Sequence, residues 1–277
     1  MSIKRLLYII NNMSKPDSNN LETTSGKGLS RNCLKLIAIG FITVGHFILY
    51  CWSALDFEGP VLAHIGISCF IGPPIFMFFI SEGFHYTSSR KRYGIRLLIF
   101  ALITQVIFAI STRNGSWEFN FHSFLLEWNV FFALFIGFLD LCILYSHLNA
   151  PVKTLLICLT LILSYVTATE WAVFGPLMII AFHCLREHKN LRFPAATALC
   201  YLTFAFGDCL PGGGFTINWF NLGLLKELIF CMIGIALVSF FYKGRNGRKS
   251  TFMKYFFYIA YPLHLLIIDL VIFLAHK

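Results

Sequence analysis

Two residues on one apolar stretch are the first in this chain whose types and spacing could do chemistry. Arg31 to Trp52, RNCLKLIAIGFITVGHFILYCW, reads as a membrane-spanning helix, yet it carries Lys35 near one end and His46 near its middle. Eleven steps of about 100° return a helix to within roughly 20° of its starting direction, so the two residues share a face. They stand about 16 Å apart along the axis at about 1.5 Å per residue. A cation near the membrane surface is thus aligned with an imidazole buried near mid-bilayer. A neutral imidazole costs less to bury than a carboxylate and titrates near neutral pH, which makes His46 a candidate general base. The other reading of His46 is a histidine hydrogen-bonded between packed helices.

Further ionisable groups fall in or beside apolar runs, where each costs about 2.5–3.5 kcal/mol at a helix centre and needs a reason. FFISEGFHYTSSRKRYGIRLLIF carries Glu82 at a membrane boundary, then Tyr86, Arg90, Lys91, Arg92, Tyr93 and Arg96. Topology alone collects such cations in an inner loop, but a basic, aromatic-lined mouth is also able to hold phosphates, with Glu82 clamping one of these arginines. EWNVFFALFIGFLDL places Asn129 near one end of a helix and Asp140 in its other half, where Lys35 or Arg96 are reasonable ion-pair partners for Asp140. The last helix, KYFFYIAYPLHLLIIDL, offers Tyr255, Tyr258, Tyr261 and His264 along a drifting stripe, with a kink expected at Pro262. His264 is deep enough to approach the cavity that His46 faces. His183 and His188 are not spaced i, i+4, and no metal site is predicted.

The elements that must position these groups follow from composition. Of 277 residues, 57% are hydrophobic and 13% charged, with 31 Phe, which places the chain among polytopic all-α membrane helix bundles. Apolar runs at about 34–54, 61–84, 94–111, 128–147, 152–169, 171–186, 193–209, 224–242 and 255–275 predict nine transmembrane helices. Cations gather in alternate linkers: Lys4 to Arg31, Arg90 to Arg96, Lys153, Arg186 to Arg192, and Lys243 to Lys254. The intervening linkers hold Asp56, Glu58, Glu118, Glu127, Glu170 and Asp208, with Arg113 and Lys277 as their few cations. The positive-inside rule then puts the N-terminus in the cytoplasm and the C-terminus outside. The net charge of +9 follows this topology, and no nucleic-acid partner is expected. Residues 1–30 read as a polar, disordered cytoplasmic arm and 31–277 as one transmembrane domain. The glycine triplet Gly212–Gly214 reads as a turn. Nine cysteines show no framework spacing, although a Cys51–Cys209 disulfide is conceivable near the outer surface.

Several blocks, taken in order, resemble one family. LKLIAIGFITVGH from Leu34 to His46 is similar to an opening Lys-then-His helix; FFISEGFHYTSSRKRYGIRLLIF is similar to its Glu-Gly-Phe block and basic run; NVFFAL begins at Asn129; and KYFFYIAYPLHLLI runs from Lys254 to Ile267. This ordered set resembles the TraX family, membrane acetyltransferases named for an enzyme that acetylates the N-terminus of a conjugative pilin. The chain departs from that pattern at Gly45, where the family has an Asp before the His, and at Ala172, where a Gly is expected within Glu170–Gly175. Neighbours on a helix point about 100° apart, so an Asp at position 45 would not orient His46 directly.

The resemblance implies a bacterial inner-membrane, multi-pass acetyltransferase of the lipid bilayer with acetyl-CoA as co-substrate. Lys35, Arg90, Arg92 and Arg96 would neutralise CoA phosphates beside Glu82 and Tyr93. His46 would act as general base, and Asn129 or Tyr258 would donate to the oxyanion. Tyr86, Asp140, Tyr261 and His264 would line the substrate cavity. The acceptor would be an amine such as a pilin-like polypeptide N-terminus, or a hydroxyl of an envelope glycan. Two other readings are a non-catalytic relative acting in pilus or envelope assembly, and a permease with a proton relay through His46, Asp140 and Asp269.

Overall fold

A computed structural model describes residues 28–54, 59–110, 118–209, 216–242, 244 and 251–275. The predicted arm up to residue 27, Asp56, Glu58, Arg113, the Gly212–Gly214 triplet, Lys243, Arg245 to Lys249 and Lys277 lie outside the described residues. The described chain is helical: α1 (Arg31–Ala54), α2 (Pro60–Ile67), α3 (Gly72–Tyr86), α4 (Arg90–Ile110), α5 (Phe121–Leu126), α6 (Val130–Leu144), α7 (Ala150–Val166), α8 (Phe174–Cys184), α9 (Lys189–Ala205), α10 (Leu222–Ala236) and α11 (Thr251–Ala275). A 3₁₀ turn (Ser68–Ile71) joins α2 to α3, and a π-helical turn (Leu237–Phe241) extends α10. No strand occurs among the described residues, only an isolated bridge between Leu29 and Tyr242.

Local signals explain the boundaries. Asn120, Asn129, Asn149 and Asn221 each accept a backbone N–H from the first turn of the helix they precede, satisfying a donor that the helix cannot. Prolines occupy the first turns of α2, α3 and α7, where a missing N–H is harmless. Six segments among the described residues are long and apolar enough to cross a membrane: Arg31–Cys51, Pro60–Tyr86, Arg90–Ile110, Phe121–Leu144, Leu222–Phe241 and Tyr255–Ala275. Ala150–Val166 and Phe174–Cys184 are apolar but shorter, because the loop between them takes residues that the apolar runs had assigned to helix. Leu155, Leu159, Ile162 and Val166 make an exposed apolar stripe along α7, the pattern of a helix facing lipid.

Close backbone approach sets how the first elements cross. A Cβ on Gly45 would lie 2.5 Å from the Gly66 carbonyl oxygen and 2.6 Å from the Cys69 Cβ. On the other side of the 3₁₀ turn, a Cβ on Gly234 would lie 2.3 Å from the Ile71 carbonyl oxygen. The turn is therefore gripped between α1 and α10 at two positions where only glycine fits, a small-residue contact of the kind that lets membrane helices approach. Cys51 and Cys209 are both buried free thiols, so the conceivable disulfide is absent.

The loop between α7 and α8 is tied down in an unusual conformation. Ala168, Trp171 and Ala172 have φ of 39°, 68° and 38°, a region that side chains with a Cβ rarely occupy. Trp128 N–H donates to the Thr167 carbonyl at 3.1 Å, Glu170 N–H to the Trp128 carbonyl at 2.9 Å, and Ser164 Oγ–H to the Ala172 carbonyl at 2.8 Å. Position 172 is where a glycine was expected, and its backbone favours one. Ala172→Gly should raise stability by about 1 kcal/mol, read as a higher thermal midpoint in detergent, whereas a β-branched residue there should lower it.

Candidate functional site

α1, α3, α4, α6, α11 and the strained loop enclose a cavity of about 360 Å³ whose wall is mostly aromatic. Lys35 and His46 both line it, three turns apart on the same face of α1, so the helical periodicity of this one segment defines the long axis of the chamber. At the Lys35 end, the ammonium lies 5.3 Å from the ring centroids of both Phe79 and Phe257, where ring faces take over part of the role of water.

At the other end, His46 meets a partner from the far end of the sequence. His46 Nδ1 is 3.0 Å from His264 Nε2, and His264 Nδ1 is 3.2 Å from the Ala260 carbonyl oxygen. A carbonyl only accepts, so the Ala260 contact assigns the proton to His264 Nδ1 and leaves Nε2 as acceptor. His46 Nδ1–H then donates to it, and the lone pair of the neutral His46 imidazole resides on Nε2. The arrangement has the logic of a base whose tautomer is set by a third group. Tyr50 and Tyr261 flank the imidazole with ring centroids at 5.3 and 6.4 Å. The Tyr261 hydroxyl donates to Glu170 Oε2 at 3.3 Å, and that oxygen also accepts from the Val130 N–H at 3.0 Å. Glu170 thus rests against the N-terminus of α6, a favourable seat for a carboxylate.

The cationic end is built from more than one helix. Arg96 and Tyr93 lie close to the Tyr258 hydroxyl, and Arg31 lies close to the Tyr242 hydroxyl. Arg96 also lies over the Tyr93 ring at 5.6 Å. Glu82 is buried; its Oε1 is 3.4 Å from Arg186 Nε, and its Oε2 accepts from the Tyr242 hydroxyl at 3.5 Å. Arg192 is buried beside this group and donates to the Val238 and Ser239 carbonyls at 3.2 and 3.1 Å, capping the π-helical turn. The bundle therefore gathers Arg186, Arg31 and Arg192 around one buried carboxylate.

The description "TraX protein" matches residues 30–272 of this chain. The chain belongs to the TraX family. It is also similar to "Probable fimbrial assembly protein FimC, serogroup H1" of Dichelobacter nodosus, 27% identical over 241 residues that cover 84% of this chain and 91% of that protein. No solved structure matches it. With six segments among the described residues able to cross a bilayer, it is a multi-pass membrane protein of the TraX family.

In this TraX-family chain the residues singled out from sequence fall into three groups. Lys35, His46, Tyr93, Tyr258 and Tyr261 line the cavity, with His264 hydrogen-bonded to His46 and Arg96 close to Tyr258. Tyr258 belongs with the cationic end and not beside the imidazole. A second group lies outside the cavity. Glu82 pairs with Arg186 of the α8–α9 connection and not with Arg90, Arg92 or Arg96 of α4. Arg90 stacks on Phe84 with 4.2 Å to the centroid, Arg92 is exposed, and Tyr86 is 56% exposed with its hydroxyl bound by Arg186 at 2.5 Å.

Asn129 and Asp140 make up the third group, both spent on structure. The Asn129 amide donates to the Ala101 carbonyl at 3.0 Å and to Gln105 Oε1 at 2.7 Å, and its oxygen caps α6, so neither N–H is left for an oxyanion. Asp140 pairs with neither Lys35 nor Arg96; its Oδ1 accepts from Thr160 Oγ1 at 2.6 Å, across the α6–α7 contact. Sequence reading missed Glu170, Tyr50, Arg31, Arg186 and Arg192 as members of these clusters. Only Glu170 carried a signal, as the acid at the head of the Glu170–Gly175 block.

Proposed function

We propose that this protein is an integral membrane acetyltransferase of the inner membrane, with acetyl-CoA as donor and an amine as acceptor. The observation that carries the reading is the hydrogen-bonded chain Ala260–His264–His46 at one end of a cavity that has Lys35 at the other. The eleven-residue offset of about 16 Å suits an extended pantetheine arm, with phosphates at Lys35, Arg31 and Arg96 and the thioester at His46. Arg90 and Arg92 have at most a peripheral part in this assignment. The basic end faces the cytoplasm by the positive-inside rule, which puts His46 toward the outer face of a nine-helix bundle.

Transfer then runs as follows. The acceptor nitrogen attacks the thioester carbon while His46 Nε2 takes its proton. The C–S bond breaks, and the imidazolium returns the proton to the departing sulfur, so an amide and the CoA thiol leave. Tyr50 is the phenol assigned to the developing oxyanion, and His264 keeps the imidazole in the productive tautomer. The name of the Dichelobacter nodosus relative supports a fimbrial polypeptide as acceptor. That name also favours a second reading, a non-catalytic assembly factor.

Acetyl-CoA consumption by the purified protein, with and without a peptide amine, separates the two. Acceptor-dependent release of the CoA thiol is expected; a folded protein that releases none overturns the proposal. Lys35→Met should raise the KM for acetyl-CoA about ten- to hundredfold, the worth of one charge-assisted contact, with a much smaller change in kcat.

A further inference from the structure

A second cavity, of about 510 Å³, lies at the end of the bundle opposite Lys35. It is bounded by the last turn of α7, the Trp171–Phe174 loop, the end of α9 and the first turns of α10. Trp171, Thr203 and Phe204 line it and also line the His46 cavity, so one layer of side chains divides the two. The Trp171 and Phe204 rings, 5.9 Å apart between centroids, form most of that layer. Trp171 is held there at φ 68°, a conformation that a bulky residue adopts only when its surroundings impose it.

Glu227 of α10 lines this second cavity. No ion pair involves its carboxylate among the described residues. Leu222–Phe241 is one of the segments apolar enough to cross a membrane, and a carboxylate without a counter-charge is costly there. Its neighbours in the cavity are largely aromatic and apolar: Tyr165, Phe174, Phe206 and Leu224. On the far side of the Trp171 layer stands the second carboxylate, Glu170, in the chamber of His46. Charge and lining together complement a cationic head on an apolar chain.

We infer that this second cavity is the port through which the acceptor reaches the transfer site, with Glu227 holding its ammonium group and Trp171 parting from Phe204 to admit it. What happens beyond Trp171 rests on the acyl-transfer reading; binding in the port does not.

The test is equilibrium binding of a labelled apolar peptide amide with a free N-terminus, and of its analogue with an α-hydroxyl, to the full chain in detergent micelles. The wild-type protein is expected to bind the amine at least about tenfold more tightly than the hydroxyl analogue, the worth of one charged contact. Glu227→Gln should erase that preference, and Lys226→Gln, on the adjoining position, should keep it. Equal binding of the two ligands by the wild-type protein overturns the port, and needs no variant to fold. Preference surviving in a folded Glu227→Gln protein overturns it as well. A protein that discriminates through Glu227 yet never consumes acetyl-CoA upholds the port and overturns the acyl-transfer reading instead.

Discussion

His46→Ala is expected to lower acceptor-dependent acetyl transfer by about 10²–10⁴-fold, the usual worth of a positioned general base. The loss should fall on kcat, because His46 stands at the far end of the cavity from the cationic cluster that would hold the donor's phosphates. Acetyl-CoA binding, measured by isothermal titration, should persist. The fold should persist too, because His46 is only partly buried. Unchanged transfer by a well-folded His46→Ala protein would remove His46 from catalysis and leave the assembly reading in its place.

Gly45→Asp should be among the most damaging single changes to stability, although it brings the first helix closer to the family pattern. The new Cβ would stand 2.5 Å from a backbone oxygen of Gly66 and 2.8 Å from the Cys69 amide nitrogen, so backbone must move and no rotamer relieves the overlap. Overpacking of this kind costs about 1–3 kcal/mol, and a carboxylate within a membrane segment adds about 2.5–3.5 kcal/mol on insertion scales. Gly45→Ala isolates the first contribution. Thermal unfolding in detergent should rank wild type above Gly45→Ala and Gly45→Ala above Gly45→Asp. An Asp variant as stable as wild type would show that α1 and the 3₁₀ turn do not meet as described. Gly45 is therefore explained by packing: it gives up a neighbouring carboxylate and in return brings α1 onto the turn that carries Cys69 and leads into the cavity wall.

Much of the site's frame was legible in the residues alone. Lys35 and His46 share a face because both lie on one uninterrupted helix, and helical periodicity is a local property that needs no partner. Composition and apolar run length marked a membrane helix bundle for an equally local reason, since each span must satisfy its own backbone hydrogen bonds. His264 was placed near His46 by depth, which rise per residue fixes. The same arithmetic carried the apolar run of 152–169 past Val166, because it could not see that the residues after Val166 leave the helix to form a strained loop.

Only the tertiary structure decided which polar groups meet. Glu82 took Arg186, a hundred and four residues away, over arginines eight to fourteen residues away. Asn129 and Asp140 went to caps and interhelical hydrogen bonds, and Glu170 entered the cavity instead of staying in a surface loop. These pairings depend on crossing angles and separations between helices, which are set by contacts such as Gly45 on Gly66 and Gly234 on Ile71. A helix face can be computed from its own sequence; what that face touches depends on how closely another backbone can approach, and in this protein two glycines far apart in the chain make that decision.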